Sequence, residues 1–262
     1  MGEELNNASA CRLCEQHEPL VRSHLIPAAV YRLLRNSSSA QNPLVGRPGK
    51  EPVSSSFQYQ AKLLCRNCEE RFNRCGEHWV FRHGLHADGS FPLRTLLRKG
   101  RPAASWPHNQ TRIYQAANFR QINVSAIAYF AASIFWRASI HSWERKKEPP
   151  VKLGRYEQEF KSYLLGQLSF PEHAALWAIV REEGIADFVT HVPTSKRGAG
   201  FHAHNFTMPG FGFMLFVGRY LQPIHQQLCF VRGQGNPISM SPHHEQHVEM
   251  MTRYFIPGSI ID

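Results

Sequence analysis

The chain lacks a basic and then apolar leader: it begins Met-Gly-Glu-Glu-Leu-Asn-Asn, so no secretory signal is expected there. It also lacks a long hydrophobic run. The most apolar stretch, Val124 to Trp136, falls short of the roughly 20 residues that cross a bilayer, which excludes a membrane helix and predicts a buried one. Internal repeats are absent, so a repeat architecture is excluded. Acidic residues are few: 20 Asp+Glu against 30 Lys+Arg leave a net charge of +10 and a pI near 9.6. Divided at Ser105, both halves keep a basic excess, so the charge is not a tail. Such a balance favours acidic partners and fits phosphate contact over a broad face. Cysteine is sparse at six residues. In the cytoplasmic, reducing setting expected for this chain, so few thiols point to metal rather than to disulfides.

What is present is enough for a core. Of 262 residues, 42% are hydrophobic, and 17 Phe, 8 Tyr and 5 Trp supply large apolar bodies. That length suits one large domain or two modest ones. A Gly/Pro-punctuated stretch from Gly84 to Pro107 suggests a division into residues 1–105 and 106–262.

Along the first part, Leu20 to Ile26 reads as a strand stopped by Pro27, and Ala28 to Arg35 has helical spacing. Asn36 to Ser56 is dense in Ser, Pro and Gly and reads as a loop. Phe57 to Leu64 suits a second strand, and a helix is predicted over Glu69 to His83. The second part opens with a predicted helix from Ile122 to Glu144, ended by Pro149 and Pro150. A helix over Arg155 to Leu165 and a helical or mixed segment over Glu172 to Glu183 follow. Then DFVTHV, FGFMLFVGRYL and QLCFVRG read as strands.

The sharpest signal is a pair of CxxC turns, Cys11-Arg12-Leu13-Cys14 and Cys65-Arg66-Asn67-Cys68. Each presents two thiolates on one side of a tight knuckle, and two knuckles complete a tetrahedral zinc site. Four unrelated cysteines would need two identical spacings by chance. Cys75 and Cys229 are left over and read as packed core residues.

Between and after the knuckles come Ser23-His24-Leu25-Ile26-Pro27 and Lys62-Leu63-Leu64-Cys65, with Glu69 directly after Cys68. In residues 11 to about 80 the chain thereby resembles the zinc-containing HNH, or His-Me finger, endonucleases. The resemblance implies a zinc-stapled ββα finger that hydrolyses phosphodiester bonds of DNA, with RNA also open. It implies His24 as general base, with an unperturbed pKa near 6.5 suited to that task. It implies one catalytic Mg²⁺ or Mn²⁺ between Ser23 and Glu69, an ion that stabilises charge on the scissile phosphate. Glu is a hard oxygen donor that suits such an ion. Two departures stand out. Ser23 occupies a place where the family commonly has Asp, and no middle Asn is evident, Asn42 and Gln60 being the nearby candidates.

Glu69, Asn73 and Glu77 recur every four residues, so on an α-helix they share a face and form a candidate ion-holding set; a solvated helix face is the plain alternative. Arg66, Arg71 and Arg74 lie on or beside that helix, where the family presents it to DNA. Elsewhere, His243, His244 and His247 suit a solvated helix start better than a metal site, and His202 with His204 would share one face of a strand. Arg145, Lys146 and Lys147 suit a helix end, and Lys196 with Arg197 a phosphate-contacting loop.

The expected architecture is therefore α+β: an N-terminal zinc-bearing ββα finger followed by a mixed region of helices and antiparallel strands. The leading function is a metal-dependent endonuclease, and restriction or phage defence goes with such nucleases by association only. A non-catalytic zinc module that binds nucleic acid or protein is the alternative. So is a nuclease subunit that needs a protein partner or a second copy of itself.

Overall fold

The computed structural model describes residues 9–37, 44–47, 50–54, 58–106, 110–143, 149–182, 189–198 and 200–242. It is an α+β protein with a small two-stranded ribbon and a nine-stranded mixed sheet. No helix among the described residues is long and apolar enough to cross a membrane.

The ribbon pairs β1 (Leu20–His24) with β4 (Gln60–Cys65) in antiparallel register, His24 opposite Gln60 and Leu20 opposite Cys65, with an irregularity after Val21. Pro27 ends the first strand and starts α1 (Ala28–Ser37), its carbonyl accepting from Val30 N at 2.9 Å. The second strand runs directly into α2 (Arg66–Phe72). That helix continues to Gly84 but widens into π turns at Asn73–Glu77 and Val80–Gly84. Gly76 in the first π turn lies so close to the helix behind it that a Cβ there would come within 2.9 Å of the Phe130 backbone. Only glycine permits that approach.

Between α1 and β4 the chain forms β2 (Leu44–Arg47) and β3 (Lys50–Ser54). They form an antiparallel hairpin inside the stretch expected to be loop, and β2 joins the sheet beside β8 (Val189–Arg197) in parallel. β3 is the edge strand, a place in a sheet where a proline such as Pro52 is tolerated.

After α3 (Pro92–Lys99), β5 (Ala104–Trp106) and β6 (Thr111–Gln115) comes the central helix α4 (Val124–Ile140). Asn123 caps it, its Oδ1 accepting from Ala126 N at 2.9 Å. Nearly every α4 side chain from Ala126 to Ser139 is buried, because the helix lies between the ribbon's helix and the sheet. Phe130 shows this: its ring centroid is 5.9 Å from Phe81 on one side and 6.0 Å from Phe213 on the other. α5 (Glu157–Leu164) packs on α4, with the Tyr129 hydroxyl donating to the Leu164 carbonyl at 2.7 Å.

The sheet order is β3-β2-β8-β9-β10-β7-β11-β6-β5, where β7 is Ala174–Arg181, β9 Phe201–Met208, β10 Phe211–Gly218 and β11 Pro237–Ser241. Most of the segment expected to be helical or mixed, Glu172 to Glu183, is strand β7. It lies inside the sheet with both faces buried, so its residues form a continuous apolar run with no alternation to betray a strand. QLCFVRG is also not a strand: α6 (Pro223–Leu228) ends inside it, and its one backbone bridge to the sheet among the described residues joins Val231 to Leu176. One hydrophobic cluster runs from Cys11 and Leu13 through Phe72 and Phe130 to Met240. A smaller one, around Trp177, Phe201 and Phe216, fills the other side of the sheet beneath α6.

Two fully buried histidines make this core acid-sensitive. His204 stands at about 3, pushed down by burial and then by His202; His225 stands at about 4 through burial. Unfolded, both rings would accept protons near 6.5, so the unfolded chain binds more protons below that pH. Their contribution is intact above about pH 6.5 and is lost as pH falls toward 4. The slope is about 1.4 kcal/mol per pH unit for each ring. Urea midpoints measured between pH 7 and 4.5 are expected to fall accordingly, and His204→Gln should show a shallower fall. An equal slope in both proteins would discharge His204 from this role.

Candidate functional site

The first knuckle closes through Glu15 N to the Cys11 carbonyl at 2.8 Å and Cys11 N to the Gln16 carbonyl at 2.9 Å, with Glu15 itself in the left-handed region at φ 62°. Arg12 N donates to the Leu63 carbonyl at 3.0 Å, which docks this knuckle on β4. The Cys65 amide donates to Cys11 Sγ at 3.3 Å, so the two knuckles face each other. All four Sγ atoms, of Cys11, Cys14, Cys65 and Cys68, lie within 4.8 Å of one another, and Cys14 and Cys65 are 3.8 Å apart. A tetrahedron with Zn–S near 2.3 Å has an edge of about 3.8 Å, so these thiols can hold a metal ion such as zinc. Burial pushes the Cys65 thiol up to about 11 and the Cys68 thiol higher still. Binding a cation there has to displace protons.

The ribbon places a second set of groups beside this clamp. His24 ends β1, half-buried, with Nε2 3.1 Å from the side-chain oxygen of Gln58. Burial holds its imidazole below the usual range; Arg137 and Arg32 push the same way, while Gln58 and the nearby Glu69 oppose. Glu69 stands on α2, and its Oε1 is buried with no hydrogen-bond partner among the described residues. The Ser23 hydroxyl is likewise buried and without a partner. Adjacent strand positions face opposite sides, so Ser23 points away from the His24 ring.

Glu77 comes back toward Glu69 because of the π turn. Four residues of α-helix overshoot a full turn by about 40°, whereas a π turn needs more than four residues, so the two offsets oppose. The proximity is felt in the Glu77 carboxyl, which burial and then the Glu69 charge push up while Arg137 pulls it down. Glu77 Oε1 accepts from Arg137 Nη2 at 3.1 Å. Asn73, on the same turn, is exposed.

Arg137 was not foreseen. It is 1% exposed, its Nη1 donates to the His24 carbonyl at 2.5 Å, and its guanidinium lies 5.2 Å from the Phe72 ring. A lone cation in the apolar run of α4 was the available signal, because a buried guanidinium must find partners. Gln58 gave no comparable signal.

Of the three arginines expected to face nucleic acid, Arg66 and Arg74 are exposed, whereas Arg71 is half-buried and donates to the Leu165 carbonyl at 3.1 Å. His202 and His204 do share β9, their rings stacked 6.1 Å apart, and His204 Nδ1 meets Ser195 Oγ at 2.8 Å. Among the described residues only the four cysteines form a metal-holding group of three or more His, Cys, Asp or Glu. Asn42, Arg145, Lys146, Lys147, His243, His244 and His247 lie outside the described residues. Comparison with known proteins finds no matching family model, no matching curated protein and no matching solved structure.

Proposed function

We propose that this chain is a metal-dependent endonuclease that hydrolyses phosphodiester bonds in DNA, with the β1–β4–α2 unit as a zinc-stapled His-Me finger. The observation that carries the reading is Glu69, a carboxylate near enough to His24 for its charge to act on the ring, with one buried oxygen that has no hydrogen-bond partner among the described residues. An unpaired buried carboxylate oxygen is costly, and a hard divalent cation such as Mg²⁺ or Mn²⁺ is the partner whose chemistry fits it. Mg²⁺ commonly uses one or two carboxylates and fills its remaining positions with water and substrate phosphate, so a small protein ligand set is in keeping. Glu69 would hold the ion; Ser23, on the face of β1 opposite the His24 ring, stands outside that set. Bound there, the ion would supply charge stabilisation at the phosphate and leaving oxygen.

The chain's own groups do the rest. His24, neutral at pH 7, takes the proton from the attacking water. Arg137 holds the His24 carbonyl and Glu77, fixing the end of β1 against the helix. Glu77, engaged by Arg137, supports the site rather than facing the substrate. Arg66 and Arg74, exposed on α2 and its continuation, contact the phosphate backbone.

A zinc-stapled module that binds nucleic acid without cutting is the second reading, favoured by the hydroxyl of Ser23 where a carboxylate would hold an ion better. Nicking of supercoiled plasmid in the presence of Mg²⁺ or Mn²⁺ tests the first against the second. Cutting that needs the added ion supports the nuclease; tight binding with no cutting under any divalent ion leaves the module. Arg66→Ala and Arg74→Ala should each weaken DNA binding across sequences and lower the salt slope by about 1. Arg71→Ala should leave that slope in place, since its guanidinium already serves the Leu165 carbonyl.

A further inference from the structure

Gln58 lies two residues before β4 and reaches the ring that ends β1. The ladder sets this contact: His24 is opposite Gln60, and Leu25 N donates to the Tyr59 carbonyl at 2.9 Å. The chain entering β4 therefore runs alongside the chain leaving β1. The Gln58 oxygen is 3.1 Å from Nε2. A carbonyl oxygen only accepts, so the nitrogen facing it carries the hydrogen. Neutral imidazole has a single N–H, which leaves the Nδ1 lone pair bare. No hydrogen bond to Nδ1 is made among the described residues. Arg137 fixes the same residue from the other end by its bond to the His24 carbonyl.

We infer that Gln58 is a positioning residue: it holds His24 in the Nε2–H tautomer and so makes Nδ1 the nitrogen that takes the proton from water. This rests on the reading of His24 as the base. The proton moves from water to Nδ1, the hydroxide oxygen forms the new bond to phosphorus, and the sugar oxygen leaves with the bonding pair. An imidazole free to flip would present Nδ1 only part of the time, and in the wrong direction. The reverse amide orientation at Gln58 would place the hydrogen on Nδ1 instead, and the experiment separates the two.

The test uses the full chain with ¹⁵N-labelled histidine, the His24 resonances being assigned by their disappearance in His24→Gln. Above the titration range the wild type is expected to show His24 as the Nε2–H tautomer. In Gln58→Leu that bias is expected to disappear, with kcat for plasmid nicking down about 10- to 100-fold, KM unchanged and zinc content unchanged. Gln58→Glu, which restores an accepting oxygen, is expected to recover the tautomer and most of the rate. A wild type that cuts but carries Nδ1–H, or a Gln58→Leu protein with an unaltered tautomer and rate, overturns the inference alone. A wild type that cuts nothing, whatever its tautomer, removes the nuclease reading and the base with it.

Discussion

Cys68→Ser is expected to strip zinc from the protein and to melt the ribbon that carries His24. Serine replaces a thiolate with a hydroxyl that binds Zn²⁺ poorly, leaving three sulfurs, those of Cys11 and Cys65 buried, without a counter-ion. Structural zinc in small fingers carries an apparent binding free energy of about 10 kcal/mol or more. Whole domains are stable by only about 5–15 kcal/mol, so even part of that loss is large. The damage is not confined to the knuckles. Arg12 docks on Leu63 of β4, and α2 starts in the residue after Cys65. Phe72 at the end of α2 packs edge-on against Tyr129 at 6.0 Å and Trp136 at 6.2 Å. Loss of the clamp therefore loosens the contact between α2 and α4 as well. Metal content by mass spectrometry and thermal unfolding with and without a strong chelator would measure both effects. A zinc-free Cys68→Ser protein that melts with the wild type would reduce the four cysteines to packing residues.

The parts of this fold that the sequence discloses are those with strong local rules. Paired CxxC spacings, Pro27 between strand and helix, and the apolar run of α4 each have one ready physical reading. β7 does not, because a strand buried on both faces has the same composition as a buried helix. The β2–β3 hairpin was hidden for a different reason. Only β3, with Pro52 and Ser54, is an edge, and the place of β2 beside β8 is set by a partner more than a hundred residues away along the chain. In the site, Ser23, His24 and Glu69 could be named only through the resemblance to the HNH endonucleases, which their places after Cys14 and beside Cys68 suggest. The four-residue spacing of Glu69, Asn73 and Glu77 assumed an unbroken α-helix. The π turn, opened where Gly76 meets Phe130, changed which way those side chains point. Arg137 arrives from 60 residues beyond Glu77, as the span of their bond records, and no local pattern announces such a pairing.

His24→Ala is expected to lower plasmid nicking by about 10²- to 10⁴-fold, the range that a positioned general base contributes. Zinc content and thermal stability should stay near those of wild type. That separation follows from where the side chain stands. His24 is half-buried at the end of β1, and among the described residues its ring makes a side-chain hydrogen bond only with Gln58. Its structural duty is carried by the backbone, through the carbonyl that Arg137 holds, and alanine keeps that carbonyl. Arg137→Met makes the contrast, because it leaves the buried carboxylate of Glu77 without a cation, a loss of about 3–5 kcal/mol. It should lose stability and activity together, whereas His24→Ala loses activity alone. DNA binding by His24→Ala should persist, since Arg66 and Arg74 remain exposed on the helix. If His24→Ala cuts at the wild-type rate, the imidazole is no part of the chemistry, and the metal-clamped ribbon is left with binding as its task.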